Sequence, residues 1–449
     1  FREGYKALVL TDHDTVSGTY FINKAARKNG MKSILGCEFT TYYGGKGIHL
    51  CGFDFNPDNR KMKEILASYL QKDLWQKLAQ TEKKVVLYGM GNGADKILTV
   101  CEAYGIPVAD FFASDGFVRG HSFHGKVVLS FSQACEKYGT ENMIVLLSFA
   151  SSRPEVLETI RRVASACEMY IPDVPVCGTE LFNAEFYESH LQEITAARAL
   201  FADEESRRVY DGIMEYKLTG RMDILRATES APADAYRNIL HAEEFLTAAD
   251  LGAYNGDSIR DLRLYAPRLR DVIAFEPDRR NFRKLTEYAT ALREAGDTLT
   301  VHPVQAGAWS HTATLTFHGS GNRNAGLTDT PAEAKGSILP STADNPYFGK
   351  TAEVPVTSLD TVCEGGFGCH THLDYIKYDV EGAETEALLG SRSIIERDAP
   401  ALLVSAYHRS ADLFRLPLLV HELNPDYRLY LRRMAGMPAW DINLYAVKE

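Results

Sequence analysis

The feature that most constrains this chain is a strand–turn–helix–strand unit over residues 250–282. Asp250 lies at the end of an apolar strand, and Gly252 and Gly256 then let the backbone bend tightly and approach a ligand without an intervening Cβ. A helical run follows, and the next apolar strand ends at Glu276, 20 residues after Gly256. A carboxylate at that position can accept hydrogen bonds from both hydroxyls of a ribose. The spacing therefore predicts a βαβ nucleotide-binding unit.

The glycine turn also limits the kind of nucleotide. It has the form G-x-x-x-G and does not contain the G-x-G-x-x-G cradle that holds a pyrophosphate. A cofactor with a ribose and no phosphate fits better, and S-adenosylmethionine is the obvious one. We predict that this cofactor is bound by Asp250, Gly252, Asn255, Gly256 and Glu276.

Four segments resemble the successive motifs of the FkbM family of methyltransferases. In chain order they are Asp250–Ser258, Phe275–Asp278, Val354–Asp360 and Asp374–Glu384. The resemblance implies a class I, Rossmann-like methyltransferase fold and O-methylation, typically of sugar or polyketide hydroxyls. It also implies that Ala306 lies near the adenine of the cofactor. No motif in the chain names the acceptor.

The catalytic groups are predicted at the ends of two later strands. The strand Leu373–Val380 leads to Asp379 and Glu381, and the strand Ala401–Tyr407 leads to His408. An alcohol must lose a proton as it attacks a methyl group, and a carboxylate or an imidazole can accept it. A helix dipole should keep Asp379 ionised and weakly basic, whereas imidazole titrates near neutral pH. We predict His408 as the base and Asp379 as an orienting group, with Glu381 as a further candidate.

A different pattern occupies residues 1–60. Acidic and imidazole side chains lie at or near the ends of short strands predicted at 6–11, 33–38 and 47–53, as is typical of hydrolytic metal sites. The stretch resembles the PHP family of metal-dependent phosphoesterases in Thr11–Asp14, Gly36–Glu38 and His49. The opening His-x-His strand of that family would precede Phe1, and its later ligands do not follow residue 60. We therefore expect three parallel strands of an incomplete barrel, with a remnant metal site at Asp12, His13, Glu38 and His49.

A second glycine turn follows the strand that begins at Lys84. The run Gly89–Gly93 reads G-x-G-x-G, a helix follows, and the next strand ends near Asp115. The pattern predicts a small Rossmann-like unit that could bind a nucleotide or a nucleotide sugar. The alternative is that the glycines serve packing alone. These features leave two other functions open, a PHP-type phosphoesterase and a non-catalytic nucleotide-binding protein.

Composition excludes several partners. The net charge is −11 and no dense block of Lys and Arg occurs, which argues against nucleic acid. The longest apolar runs are too short to span a membrane. The eight cysteines form no framework, which is typical of a reduced cytoplasmic protein. No pattern requires a metal for methyl transfer, although the remnant site could hold a divalent ion. The chain opens on Phe1 rather than methionine, which leaves open that it is a fragment of a longer protein.

A chain of 449 residues is too long for one ordinary core. We predict an α/β protein in which helices predicted at 155–166, 182–202, 206–218 and 235–247 form a bridge. Tyr187, Tyr210, Tyr216 and Tyr236 of this bridge could stack on a sugar, although core packing is their more common use. A helix is predicted over 17–29, a strand at 120–128, an antiparallel strand at 312–317 and a closing hairpin-like pair at 427–434 and 443–447. A long irregular loop is predicted at 318–350. The predicted segments are a partial PHP-like fragment (1–60), a helical linker (61–82), a small Rossmann-like domain (83–154), the helical bridge (155–247) and the class I methyltransferase domain (248–449).

Overall fold

The computed structural model divides into two compact units, Phe1–Lys72 and Asp73–Glu449, and each is considered by itself. The structure describes residues 7–13, 32–43, 46–53, 73–118, 120–318, 326–327, 351–365 and 372–448. The helix predicted over 17–29, the first part of the predicted linker and most of the loop predicted at 318–350 lie outside these residues.

The first unit contains a three-stranded sheet in the order β1-β2-β3, formed by β1 (Ala7–His13), β2 (Lys32–Tyr43) and β3 (Lys46–Phe53). Strands β1 and β2 are parallel, and His13 pairs with Glu38. Strand β3 is antiparallel to β2, and His49 pairs with Thr40. The expectation of three parallel strands was therefore wrong. Only two residues separate β2 from β3, and a connection that short joins antiparallel strands, because parallel strands need a crossover of a dozen or more residues.

A small parallel sheet opens the second unit. Its five strands have the order β10-β9-β4-β5-β8, and every neighbouring pair is parallel. The strand predicted at 120–128 is instead a short antiparallel hairpin, β6 and β7. The strands are β4 (Lys84–Tyr88), β5 (Val108–Ala113), β6 (Ser122–Phe123), β7 (Lys126–Val127), β8 (Leu129–Ser130), β9 (Met143–Leu147) and β10 (Glu168–Tyr170). The accompanying helices are α1 (Leu74–Ala79), α2 (Asn92–Ala103), α3 (Phe131–Tyr138) and α4 (Pro154–Ala166).

Helices connect this sheet to the next one. They are α5 (Ala184–Ser189), α6 (Leu191–Leu200), α7 (Glu204–Thr219), α8 (Met222–Ala227) and the single turn α9 (Pro232–Asp234). The helix predicted at 182–202 is divided at His190. The helix predicted at 235–247 is only partly present. Ala235–Ile239 form a π-helical turn and Ala242–Glu244 a 3-10 turn, the left-handed His241 separates them, and Thr247 already begins a strand. Tyr210 and Tyr216 are fully buried in the core, so they cannot stack on a ligand.

A seven-stranded sheet forms the centre of the second unit. Its order is β13-β12-β11-β18-β19-β21-β20. The first five strands are parallel, and β21 runs antiparallel to both of its neighbours. Strands β12 and β18 flank β11, so the residues that follow these strands meet at one edge. The strands are β11 (Thr247–Leu251), β12 (Asp271–Phe275), β13 (Thr300–Val304), β18 (Tyr375–Tyr378), β19 (Ala401–Ser405), β20 (Arg428–Arg433) and β21 (Ile442–Val447).

A four-stranded sheet accompanies the central one and confirms the antiparallel strand predicted at 312–317. It consists of β14 (Gly307–Ala308), β15 (Ala313–His318), β16 (Gly326–Leu327) and β17 (Thr351–Thr357). The helices of this part are α10 (Asp257–Arg263), α11 (Arg279–Glu294), α12 (Leu359–Glu364), α13 (Glu384–Leu389), α14 (Arg392–Asp398) and α15 (Asp412–Leu423).

One cluster of buried apolar side chains is shared by the small and the central sheets. It includes Val86 and Phe112 of the small sheet together with Leu251, Ile376 and Val404 of the central sheet. The two sheets therefore pack as parts of one body. Along the described part of the chain, no helix combines the length and the apolar character needed to cross a bilayer.

Candidate active site

The backbone of the turn after β11 lies very close to the backbone that follows β18. Gly252 has a φ of +97°, and a Cβ built on it would lie 1.9 Å from the carbonyl oxygen of Asp379. Gly256 has a φ of +83°, and its Cβ would lie 2.6 Å from the Tyr288 ring. The sequence predicted that these glycines allow a ligand to come close to the backbone. The structure adds a second reason, because the neighbouring strand end and helix α11 leave no space for a side chain.

Glu276 follows β12 and is buried at the edge of the same cleft. Its side chain is held in place because Oε1 accepts a hydrogen bond of 2.9 Å from the backbone of Asp278. The residue is 6% exposed, and burial raises the pKa of its carboxyl to about 7. Asp278 in turn caps helix α11 by accepting hydrogen bonds from two backbone amides. The carboxylate is thus presented on a rigid strand-to-helix turn, as the sequence predicted.

Lys377 lies between two carboxylates at the centre of the site. Its Nζ is 3.2 Å from Asp379 Oδ2 and 3.5 Å from Asp250 Oδ1. Burial opposes the charge of Lys377, but the two carboxylates outweigh burial and raise the pKa of the ammonium. Burial disfavours the charged form of Asp379. The charges of Lys377 and His408 have the larger effect and lower the pKa of its carboxyl. Burial raises the pKa of Asp250, an effect that Lys377 opposes.

His408 has a different environment from the one that the sequence argument assumed. The ring is fully buried, with Nδ1 2.9 Å from Glu384 Oε1 and Nε2 3.5 Å from Glu381 Oε2. Nε2 also lies 3.7 Å from Asp379 Oδ1. Burial lowers the pKa of the imidazole, but the surrounding carboxylates, led by Glu384, raise it to about 10. These carboxylates therefore favour the protonated form of His408, which disfavours the role of base predicted for it.

Glu384, His408 and Asp412 lie close enough together to hold a metal ion by geometry, because one ligand atom of each lies within 4.8 Å of the others. Both carboxylates already have backbone partners. Glu384 Oε1 accepts from the amides of Val380 and Gly382, and Asp412 Oδ2 accepts from the amide of Arg409 at 2.7 Å. Together with the charge of His408, these contacts account for the cluster without a metal, and we assign none.

Glu381 is an acidic side chain that faces the cleft. Its backbone is in the left-handed region, with φ +52°, a conformation that non-glycine residues adopt at a cost and often at functional sites. Its carbonyl oxygen accepts a hydrogen bond from Cys177 Sγ. Side-chain Oε2 is a buried acceptor to which no described residue donates a hydrogen bond. Burial raises the pKa of the carboxyl to about 7, although His408 opposes this shift.

A cavity of about 500 Å³ joins these features. Of the residues predicted from sequence, it is lined by Gly252, Glu276, Asp379 and Glu381. The remaining predicted residues do not line it, namely Asp250, Asn255, Gly256, Ala306 and His408. Asp250 contacts Lys377, which lines the cavity. Near Ala306, the residues that line the cavity are Gly307 and Ala308.

Several lining residues were not found by sequence reasoning. Lys377 carried a signal, since it is a lysine in the middle of an otherwise apolar strand, and such a residue needs a charged partner. Others come from distant parts of the chain and carried no local signal, namely Ser151, Ser152, Tyr407, Met437, Trp440 and Asp441.

Comparison with known proteins identifies this part of the chain. The family model described as the methyltransferase FkbM domain matches residues 250–435. Residues 250–435 form an FkbM methyltransferase domain. The matched segment contains Gly252, Glu276 and Glu381, which line the cavity, and it includes His408 behind them.

Two further likenesses were found. A solved FkbM methyltransferase from Methylobacillus flagellatus KT is 18% identical, with a TM-score of 0.59 over 86% of this chain and 93% of that one. At this identity the likeness shows a shared fold. A 5'-3' exoribonuclease from Haemophilus influenzae is 35% identical over 96 residues, which are 21% of this chain. The match spans 34% of that relative, or about a third of its length.

The turn Gly89–Gly93 lies outside the FkbM domain and is tightly packed. A Cβ on Gly93 would lie 2.3 Å from the carbonyl oxygen of Ser148, and one on Gly89 would lie 2.6 Å from the Phe149 ring. These contacts explain why the turn contains glycine, so the glycines do not by themselves point to a nucleotide. Binding of a nucleotide or nucleotide sugar there stays a prediction.

Proposed function

We propose that this protein is an S-adenosylmethionine-dependent O-methyltransferase that acts on a hydroxyl of a sugar, a glycan or a related small molecule. The observation that carries the proposal is the single cavity that contains both Glu276 and Glu381. Glu276 suits a ribose, and Glu381 suits a hydroxyl that must lose its proton. The FkbM domain supports methyl transfer as the reaction.

The cofactor end of the cavity fits an adenosyl group without phosphates. The Glu276 carboxylate can accept hydrogen bonds from the two ribose hydroxyls, while Asp278 and Asn281 line the same end. Among the described residues that line the cavity, Lys377 is the only Lys or Arg that could receive a pyrophosphate, and it is already paired with two carboxylates. When bound, S-adenosylmethionine would supply a methyl group by in-line displacement from its sulfonium.

The chain supplies the base and the charges that position it. We propose that Glu381 accepts the proton of the acceptor hydroxyl, in place of His408, because Glu381 lines the cavity and has a pKa of about 7. The imidazolium of His408 positions the carboxylates of Glu381 and Asp379 from behind. Asp379, kept ionised by Lys377 and His408, orients the acceptor, and this is the role predicted for it from sequence.

The Glu276→Gln substitution tests the cofactor assignment. Loss of hydrogen bonds to a charged acceptor should weaken binding of S-adenosylhomocysteine by about 1.5–3 kcal/mol in a calorimetric titration. In the wild-type protein the affinity should fall as the pH falls below about 7, because Glu276 becomes protonated and loses acceptor capacity. The variant should not show this pH dependence.

Glu287→Gln is the matched control for that titration, since Glu287 is an exposed residue of helix α11. It should leave the affinity unchanged. Equal affinities of wild type and Glu276→Gln at every pH would remove the support for a ribose at this carboxylate.

A second candidate function belongs to the first unit. The similarity to a 5'-3' exoribonuclease and the PHP-like pattern that includes Asp12 and His49 support a metal-dependent phosphoesterase. We expect the remnant site to be inert and independent of methyl transfer. Asp12→Asn and His49→Ala should then leave the methyl transfer rate unchanged. Manganese-dependent hydrolysis of an RNA oligonucleotide by the full chain, abolished by the same two substitutions, would instead assign that activity to the first unit.

A further inference from the structure

The chain between strand β10 and helix α5 connects the small sheet to the catalytic groups. This connecting segment, residues 171–180, lies outside the FkbM domain, and its Val176 lines the cavity. Cys177 of the segment contacts the loops that follow β18 and β19. Its amide donates to the carbonyl oxygen of His408 at 2.8 Å, and its Sγ donates to the carbonyl oxygen of Glu381 at 3.1 Å. A segment from outside the domain therefore contacts the proposed base.

The turn at Glu381 and Gly382 has a backbone that needs support. Both residues are left-handed, with φ of +52° and +90°, and such a conformation costs free energy at a residue with a side chain. A Cβ built on Gly382 would lie 2.9 Å from Cys177 Cβ, so the two backbones are in close contact. Arg409 Nε donates to the carbonyl oxygen of Gly382 at 2.8 Å. Cys177 and Arg409 thus hold the turn, and the direction of the Glu381 side chain depends on its conformation.

Lys96 of helix α2 holds the connecting segment in place. Its Nζ donates to the carbonyl oxygens of Pro175 and Val176 at 2.9 and 2.7 Å, and hydrogen bonds from a charged donor are stronger than neutral ones. Burial lowers the pKa of the Lys96 ammonium, an effect that Cys177 and Glu381 oppose. Lys96 belongs to the helix that follows the glycine turn of the small sheet, so a continuous set of contacts joins that helix to Glu381.

We propose that Lys96 and Cys177 are positioning residues for Glu381, so that the small sheet completes the active site of the FkbM domain. This inference rests on the proposed function, in which Glu381 accepts the proton of the acceptor hydroxyl. Lys96 fixes the backbone of the connecting segment, and Cys177 holds the Glu381 carbonyl against it. A base must lie within hydrogen-bond reach of the proton that it accepts, so displacement of the turn lowers the rate although the carboxylate is still present.

Removing either contact should lower the turnover rate and leave cofactor binding unchanged. In the full-length protein, Lys96→Met and Cys177→Ala should each lower methyl transfer to saccharides extracted from the source organism by about 10²-fold, the loss expected from a displacement of about 1 Å. Cys177→Ser should retain most of the rate, because a hydroxyl can donate to the same carbonyl oxygen. The affinity for S-adenosylhomocysteine, measured by calorimetry, should stay at the wild-type value in all three variants, because Glu276 is not displaced.

Alkylation of Cys177 gives a second readout that does not depend on the reaction. Burial raises the pKa of its thiol to about 12, and the thiolate is the form that reacts, so iodoacetamide should label Cys177 slowly in the wild-type protein. Lys96→Met should lose this protection, because the connecting segment is released. Peptide mass spectrometry measures the labelling of Cys177 separately from that of the other cysteines.

Lys137→Met is the matched control for Lys96→Met. Lys137 Nζ lies 2.7 Å from Asp110 Oδ2 in the small sheet, and neither residue lines the cavity. The control should retain both the rate and the protection of Cys177. If it loses the rate to the same extent as Lys96→Met, general weakening of the small sheet explains both losses and the inference is overturned.

The outcomes separate this inference from the proposed function. A Lys96→Met variant that keeps the wild-type rate and a protected Cys177 would overturn the positioning role and leave the methyltransferase standing. A Cys177→Ser variant as slow as Cys177→Ala, or a loss of cofactor affinity as large as the loss of rate, would also overturn it. Loss of protection in Lys96→Met, together with a wild-type protein that methylates no saccharide, would support the contact between the small sheet and the Glu381 turn and contradict the proposed function.

Discussion

Replacing Glu381 by glutamine is expected to lower the turnover rate by about 10²–10⁴-fold, the usual contribution of a general base. Glutamine keeps the size of the side chain and removes only its ability to accept a proton. The affinity for S-adenosylhomocysteine should change little, because the ribose contact is assigned to Glu276 and not to Glu381. Steady-state kinetics with a saccharide acceptor, paired with a calorimetric titration, measures both quantities.

The pH dependence gives the same prediction a second readout. Burial raises the pKa of Glu381 to about 7, so the carboxylate is the minor form in acid and the dominant form in alkali. The wild-type rate should therefore rise as the pH rises through about 7 and then level off. The residual rate of Glu381→Gln should lack this step. If Glu381→Gln keeps both the wild-type rate and the rise of the rate through pH 7, the base is a group other than Glu381.

Replacing Gly252 by alanine is expected to destabilise the protein by about 3 kcal/mol or more, at or beyond the upper end of the range for overpacking a close-packed site. The added Cβ would lie 1.9 Å from the backbone oxygen of Asp379, and a backbone atom cannot turn aside as a side chain can. The φ of +97° adds strain for any residue other than glycine. Chemical denaturation measures the free energy of unfolding.

The Gly91→Ala variant measures the effect of backbone strain without a steric clash. Gly91 has a φ of +109°, and nothing lies within 4 Å of a Cβ built on it. It should lose only the strain contribution, about 1–3 kcal/mol, because its φ of +109° and ψ of −162° lie in a region that residues with a side chain rarely adopt. Equal losses of stability in the two variants would mean that strand β18 moves freely and that the close approach to Asp379 is unimportant.

The sequence was sufficient for the parts of the site that are local. The turn from Gly252 to Gly256 and the carboxylate at Glu276 follow from spacing within one βαβ unit, and the structure places them as that unit requires. The antiparallel pair β20 and β21 was also predicted, as a closing hairpin-like pair. The helix predicted at 235–247 is present only as two short turns, since apolar spacing alone does not reveal the left-handed His241 that interrupts it.

The parts that depend on long-range contacts could not be predicted. Nothing near His408 in the chain indicates that Glu384, Glu381 and Asp379 surround its ring, and these neighbours raise the pKa of the imidazole. The pairing of Ser151 with Met437 joins positions that are almost 300 residues apart in sequence, and it brings Trp440 to the cavity. Such contacts are set by how the two sheets pack and leave no local pattern.

Transfer of a labelled methyl group tests the central claim most directly. The full-length protein would be incubated with S-adenosylmethionine that carries a deuterated methyl group and with saccharides extracted from the source organism, and the products would be analysed by mass spectrometry. We predict that the label is found on a sugar oxygen with the wild-type protein and is nearly absent with Glu381→Gln. Unlabelled saccharides after incubation with a wild-type protein that binds S-adenosylhomocysteine, or label on nitrogen or carbon atoms, would contradict the assignment as a sugar O-methyltransferase.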